Sequence, residues 1–182
     1  MQENETSCTY ICKNNDDIPY PDVEGIVADC CALRIIAPAY AGEDGELTGI
    51  LQYTYQHLIF EKLGYEKYAK ALEKISIDEM RHFELLGKTV LRLGALPIYT
   101  ALPPCPVNFY TSKKVARDSS PIKMILDDIH AEQNAITAYT KMIEQLKDEK
   151  IGAIIQRIRM DEEEHLCIFK QIYRELTEKE RL

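Results

Sequence analysis

Residues 77–83 read IDEMRHF, and residues 160–166 read MDEEEHL. Each contains Asp-Glu-x-x-His, and the second copy follows the first by 83 positions, Glu79 to Glu162 and His82 to His165. A glutamate and a histidine three apart share one face of an α-helix. On a surface helix such a pair is only solvated charge. The register of the neighbouring residues therefore decides what the two copies mean.

Stepping by four and three, the spacing that keeps one helix face inward, gives Tyr68, Leu72, Ile75, Glu79, His82, Leu86 around the first copy. Around the second it gives Ile151, Ile155, Ile158, Glu162, His165, Phe169, Ile172. Both stripes are apolar except at the motif, which places Glu and His in the core. Two further segments carry one core acid each. Ile125, Ile129, Glu132, Ile136, Tyr139, Ile143, Leu146 is one stripe, and Ala39, Glu43, Glu46, Ile50, Tyr53, His57, Phe60 is the other. ELTGILQY from Glu46 and EQNAITAY from Glu132 share E-x3-I-x2-Y at an offset of 86, so a two-helix unit occurs twice.

Stop and start signals set the helix bounds. Gly64 and Gly94 stand where helices end, and Ser119 or Ser120 with Pro121 marks a helix start. The pattern predicts helices over 36–63, 66–93, 120–146 and 150–177, an all-α four-helix bundle. Connections 1–2 and 3–4 are short, so those pairs are antiparallel neighbours. Residues 95–119 hold Pro97, Pro103, Pro104 and Pro106, which exclude helix and central strand. Extended, that segment reaches roughly 80 Å, enough to run the length of a ~40 Å helix as a crossover between helices 2 and 3. Residues 36–182 are read as the bundle. Residues 1–35 form an N-terminal extension with no assigned role, its first 22 residues polar and expected to be either mobile or surface-draped.

Composition narrows the function. A net charge of -8 disfavours nucleic acid, which selects basic surface, and favours cations. No apolar run approaches the ~18 residues of a membrane span, and MQENETS lacks the order of a signal peptide, so a cytoplasmic protein is expected. Cys8, Cys12, Cys30, Cys31, Cys105 and Cys167 form no C-x-x-C pair, which disfavours zinc ribbons and rubredoxin-type iron sites; they are expected to be reduced thiols.

Four buried carboxylates without compensation each forfeit several kcal/mol of hydration, so they must protonate or bind cations. Two divalent ions bring +4 against -4 and leave two imidazoles as nitrogen ligands. The candidate ligands are Glu46, Glu79, His82, Glu132, Glu162 and His165. Each E-x-x-H would hold one metal, with Glu46 and Glu132 completing or bridging the pair. The mixed oxygen and nitrogen set suits two iron or two manganese ions over magnesium or structural zinc. Tyr53 and Tyr139, each seven past a single acid, are candidates for hydrogen bonds to ligands. Asp78, Asp161, Glu163 and Glu164 are expected to face water. His57, ~16 Å along the helix from Glu46, and His130, two residues from Glu132, are not expected to be ligands.

The ordered set Glu46, Glu79/His82, Glu132, Glu162/His165 resembles the ferritin-like superfamily of rubrerythrins, bacterioferritins and manganese catalases, over about residues 36–177. YAGEDGELTGILQYTYQ and YPDVEG look like manganese catalases and spore-coat relatives, and EMRHFELLGKTVLRLGALPIY like small rubrerythrins or bacterioferritins. The resemblance implies an up-down-down-up bundle and a dinuclear oxidoreductase acting on H2O2 or O2, with rubrerythrin-like peroxidase or ferroxidase activity. It also implies a manganese-catalase-like enzyme, an iron-binding or storage protein, or a structural coat bundle as alternatives. Rubrerythrins carry a rubredoxin domain with C-x-x-C pairs that this sequence lacks, so an external electron donor is expected. They also carry an acid three before the third-helix ligand, where Ile129 stands here. The short fifth helix of cage-forming ferritins has no counterpart, so a homodimer is expected rather than a cage.

Overall fold

A computed structural model describes residues 12–179, and among these it contains five α-helices and no strand. They are α1 (Cys30–Ala41), α2 (Glu46–Lys62), α3 (Glu66–Arg92), α4 (Pro121–Gln145) and α5 (Glu149–Lys179). α2 lies along α3 and α4 along α5, and the segment between α3 and α4 is the long crossover. That segment holds a single isolated bridge, Thr100 with Phe109, and a 3-10 turn at Ser112–Lys114.

The sequence reading of one helix over 36–63 is corrected. The helix begins earlier, at Cys30, because the Asp29 side chain caps it by accepting from the N–H groups of Cys31 and Ala32. It is then interrupted by Gly42-Glu-Asp-Gly45. A Cβ on Gly42 would lie 2.4 Å from the Pro38 carbonyl, and one on Gly45 2.4 Å from that of Ala39. Only glycine permits so close a turn. The break makes Glu46 the first residue of α2, where the helix N-terminus favours an acid. At the other turns Gly64 and Gly94 take φ of 78° and 92°, the left-handed C-terminal signal.

Buried apolar residues form two clusters. One gathers Ile36, Leu86, Val90, Ile151, Ile154, Ile155 and Ile158; the other gathers Phe60, Leu72, Ile75, Met124, Ile125, Phe169 and Ile172. On α3 and α5 the Glu-x-x-His residues fall between the two, so a buried polar layer is held from both ends.

Residues 12–27 run antiparallel to α5 as a strap. Cys12 is disulfide-bonded to Cys167, which corrects the expectation of free thiols at these positions; Cys30, Cys31 and Cys105 are free and exposed, and Cys8 lies outside the described residues. The Asn15 N–H donates to Glu164, its side chain donates to the Met160 carbonyl, and Arg157 donates to the carbonyls of Asn15 and Ile18. Among the described residues no helix is long and apolar enough to cross a membrane.

Candidate metal centre

The structure brings the six candidate ligands together. Glu46, Glu79, His82, Glu132, Glu162 and His165 are each exposed by 4% or less. Their ligand atoms form two groups, Glu46, Glu79, His82, Glu162 and Glu79, Glu132, Glu162, His165, with the atoms of each group within 4.8 Å of one another. Glu79 and Glu162 belong to both groups and are placed to be shared. Glu46 and Glu132 each serve one group, which refines the open expectation that they complete or bridge the pair.

His82 Nδ1 lies 3.3 Å from Glu162, 3.5 Å from Glu46 and 3.8 Å from Glu79. His165 Nδ1 lies 3.0 Å from Glu162, 3.1 Å from Glu79 and 4.0 Å from Glu132. Glu46 Oε2, Glu79 Oε1 and His82 Nδ1 are buried without a hydrogen-bond partner. Orphaned polar atoms are costly in a protein interior, and here three of them belong to one ligand cluster. Two carboxylates common to both groups, one private carboxylate each and one imidazole each fit two divalent cations.

Around this layer the contacts cross between the two repeats. Tyr53 donates to Glu132 at 2.5 Å, and Tyr139 donates to Glu46. The Nε2–H of His82 donates to Asp161 at 3.0 Å, while His165 Nε2 faces Asp78 at 3.8 Å. Asp78, Asp161 and Glu164 are buried, which corrects the expectation that they face water; Glu163 is exposed. The bundle overturns that reading because the flank of α3 one residue from Glu79 packs toward α5, and that of α5 toward α3. A carboxylate on the far nitrogen of a ligand histidine fixes the ring and its tautomer. His57 Nδ1 meets the Ala69 carbonyl at 3.0 Å, and His130 is exposed, so neither joins the cluster.

The electrostatics follow from burial and crowding. Burial, then the neighbouring Glu79 carboxylate, pushes Glu46 up to about 8. Burial and Glu162 likewise hold Glu132 well above the usual carboxylate range. Burial would lower both histidines, but carboxylates outweigh it and hold His82 and His165 well above the ordinary imidazole value. Hydrogen bonds outweigh burial for Glu79 and Glu162 and lower both. Without a cation, the cluster neutralises itself with protons.

A cavity of ~580 Å3 reaches the cluster between α2 and α4, with Glu46, Gly49, Tyr53, Glu79, Glu132 and Glu162 in its lining. A Cβ on Gly49 would lie 3.1 Å from Glu79 Oε2, so glycine here keeps the cavity floor open beside the carboxylate. Beyond the cluster, sequence reasoning missed Asp128, which is fully buried and accepts from Gln52 and Gln56 at 2.8 Å each.

A family model described as "Ferritin-like domain" matches residues 44–178. The chain belongs to the ferritin-like family. This ferritin-like chain is 32% identical over 124 residues to a bacterioferritin of Streptomyces coelicolor, covering 66% of the chain and 68% of the relative. It is 27% identical over 130 residues to a bacterioferritin of Desulfovibrio desulfuricans, covering 70% and 67%. Among solved structures it is similar to a manganese catalase from Anabaena, with a TM-score of 0.75, 20% identity and coverage of 91% and 81%. It is also similar to the Desulfovibrio desulfuricans bacterioferritin, with a TM-score of 0.68, 24% identity and coverage of 81% and 80%. At these identities the structural likeness shows the fold, an all-helical ferritin-like bundle, and the buried cluster marks a candidate dinuclear metal site of iron or manganese within it.

Proposed function

We propose that this chain is a dinuclear iron or manganese oxidoreductase acting on H2O2 or O2, with peroxidase or ferroxidase activity of the rubrerythrin kind. The observation that carries this reading is that Glu46 Oε2, Glu79 Oε1 and His82 Nδ1 are buried without hydrogen-bond partners within one cluster of ligand residues, whose carboxylates Glu46, Glu79, Glu132 and Glu162 line a cavity. Two bound redox metals would supply the electron pair needed to cleave an O–O bond. The chain's own residues do the rest. Glu46, Glu79, Glu132, Glu162, His82 and His165 would hold the ions, and Asp161 orients the His82 imidazole. Tyr53 and Tyr139 donate hydrogen bonds to the Glu132 and Glu46 carboxylates. The apolar clusters at both ends exclude bulk water. The reading includes an external electron donor and a homodimer.

A manganese-catalase-like reading is favoured by the stretches YAGEDGELTGILQYTYQ and YPDVEG, which look like manganese catalases, and disproportionation of peroxide needs no donor. Protein loaded with iron or manganese and mixed with H2O2 distinguishes the two. Peroxide loss only with an added reductant supports the peroxidase, and O2 release without one supports the catalase. Peroxide and O2 untouched by either metal form would leave a metal-binding or structural bundle, against the proposal.

A further inference from the structure

The cluster is built on an internal two-fold repeat: Glu46 with Glu132, Tyr53 with Tyr139, Asp78 with Asp161, Glu79 with Glu162, His82 with His165. The strap breaks it. Tyr20 donates to Asp161 Oδ2 at 2.6 Å, and among the described residues no tyrosine donates to Asp78. Asp161 is further fixed by an ion pair with Arg157, whose side chain is 6% exposed. Arg157 in turn stacks 4.3 Å from the Tyr20 ring centroid. Asp78 is instead paired with Arg81 and Lys74, whose side chains are 56% and 44% exposed, so solvent screens those pairs.

The consequence reaches the histidines. His82 Nε2 sits 3.0 Å from the braced Asp161, and its Nδ1 lies 3.3 Å from Glu162. His165 Nε2 is 3.8 Å from Asp78, and its Nδ1 is engaged by Glu162 at 3.0 Å. One imidazole is therefore already oriented by its carboxylate. The other lies beyond hydrogen-bond distance of its own. A ring held in its productive orientation loses less freedom on binding.

Building on the dinuclear reading above, we propose that Tyr20 is a positioning residue that makes the two metal sites unequal, so that the Glu46/His82 half loads first and more tightly than the Glu132/His165 half. Partners of this kind change metal affinity by roughly 10–100-fold when removed.

The test is a Co2+ titration of the metal-free full chain, followed by calorimetry and by the hyperfine-shifted ring N–H signals of the ligating histidines. The expected wild-type result is two steps at least ~10-fold apart, the first abolished in Glu46→Gln and the second in Glu132→Gln. In Tyr20→Phe, which keeps the ring, the first step weakens about 10-fold and the His82 N–H signal moves while the His165 signal stays. A circular-dichroism melt matching wild type shows that the strap variant is folded. Two equal steps in the wild type, or a Tyr20→Phe titration superimposable on it, overturns the inequality while leaving the dinuclear centre standing. A wild-type chain that takes up no Co2+ overturns both.

Discussion

Replacing Asp128 by Asn tests whether the core of α4 holds a neutral acid. Asp128 is fully buried, and the side-chain N–H groups of Gln52 and Gln56 both point at Oδ1. Its Oδ2 is buried without a partner, and a proton on that oxygen leaves the acid uncharged in the core. Burial pushes the acid from 3.8 up to about 8; the glutamine donors oppose this in part, and Asp127 on the same helix adds to it. Below the unfolded value both states are protonated and stability is complete. As pH rises the unfolded chain releases the proton while the native chain retains it, so stability falls until pH passes the folded value. The slope is about 1.4 kcal/mol per pH unit, on the order of 5 kcal/mol in all. Asparagine carries a permanent N–H and no charge. Urea unfolding of metal-free wild type and Asp128→Asn from pH 4 to 8 should give nearly equal stabilities at pH 4. The variant should then gain steadily, reaching an advantage on the order of 5 kcal/mol. Subtraction cancels the other titrating groups. A difference that is flat with pH, or a variant less stable at pH 7, would mean that Asp128 is ionised in the native chain.

Two further outcomes follow from the same physics. Cys12→Ser, which opens a link between residues 155 apart in sequence, should lower unfolding stability by about 2–4 kcal/mol, and a denaturant midpoint matching wild type would show that the staple adds nothing. Because burial and crowding raise Glu46 and Glu132, and the carboxylates raise His82 and His165, metal uptake is expected to displace protons. Apparent Mn2+ affinity, read by competition with a fluorescent chelator, should therefore weaken from pH 8 to pH 6; a pH-independent affinity contradicts that picture.

The long helices were legible because their apolar stripes are regular. The expected 66–93, 120–146 and 150–177 became Glu66–Arg92, Pro121–Gln145 and Glu149–Lys179. The first helix misread because its stripe continues past Gly42 and Gly45 while the backbone does not. Asp78 and Asp161 lie one residue, ~100° of helix, from core glutamates. On a single helix that flank reads as solvent, and the packing of α3 against α5, with Tyr20 of the strap over Asp161, buries it. The repetition of Asp at the same place in both motifs was the available signal. Asp128 escaped because a stripe stepping through Ile125 and Ile129 passes over it, although it stands one turn before Glu132. The strap has no periodicity at all: it is held by hydrogen bonds to α5 and by Cys12–Cys167, so Tyr20 could not be placed by pattern.

The central claim is that Glu79 and Glu162 join two metal ions. Metal analysis of protein grown with iron and manganese and purified without chelator tests it most directly. The expectation is roughly two ions per wild-type chain and the loss of at least one when Glu79 and His82 are both replaced by Ala. Metal-free wild type under those conditions, or a metal content unchanged by the double substitution, would contradict the account.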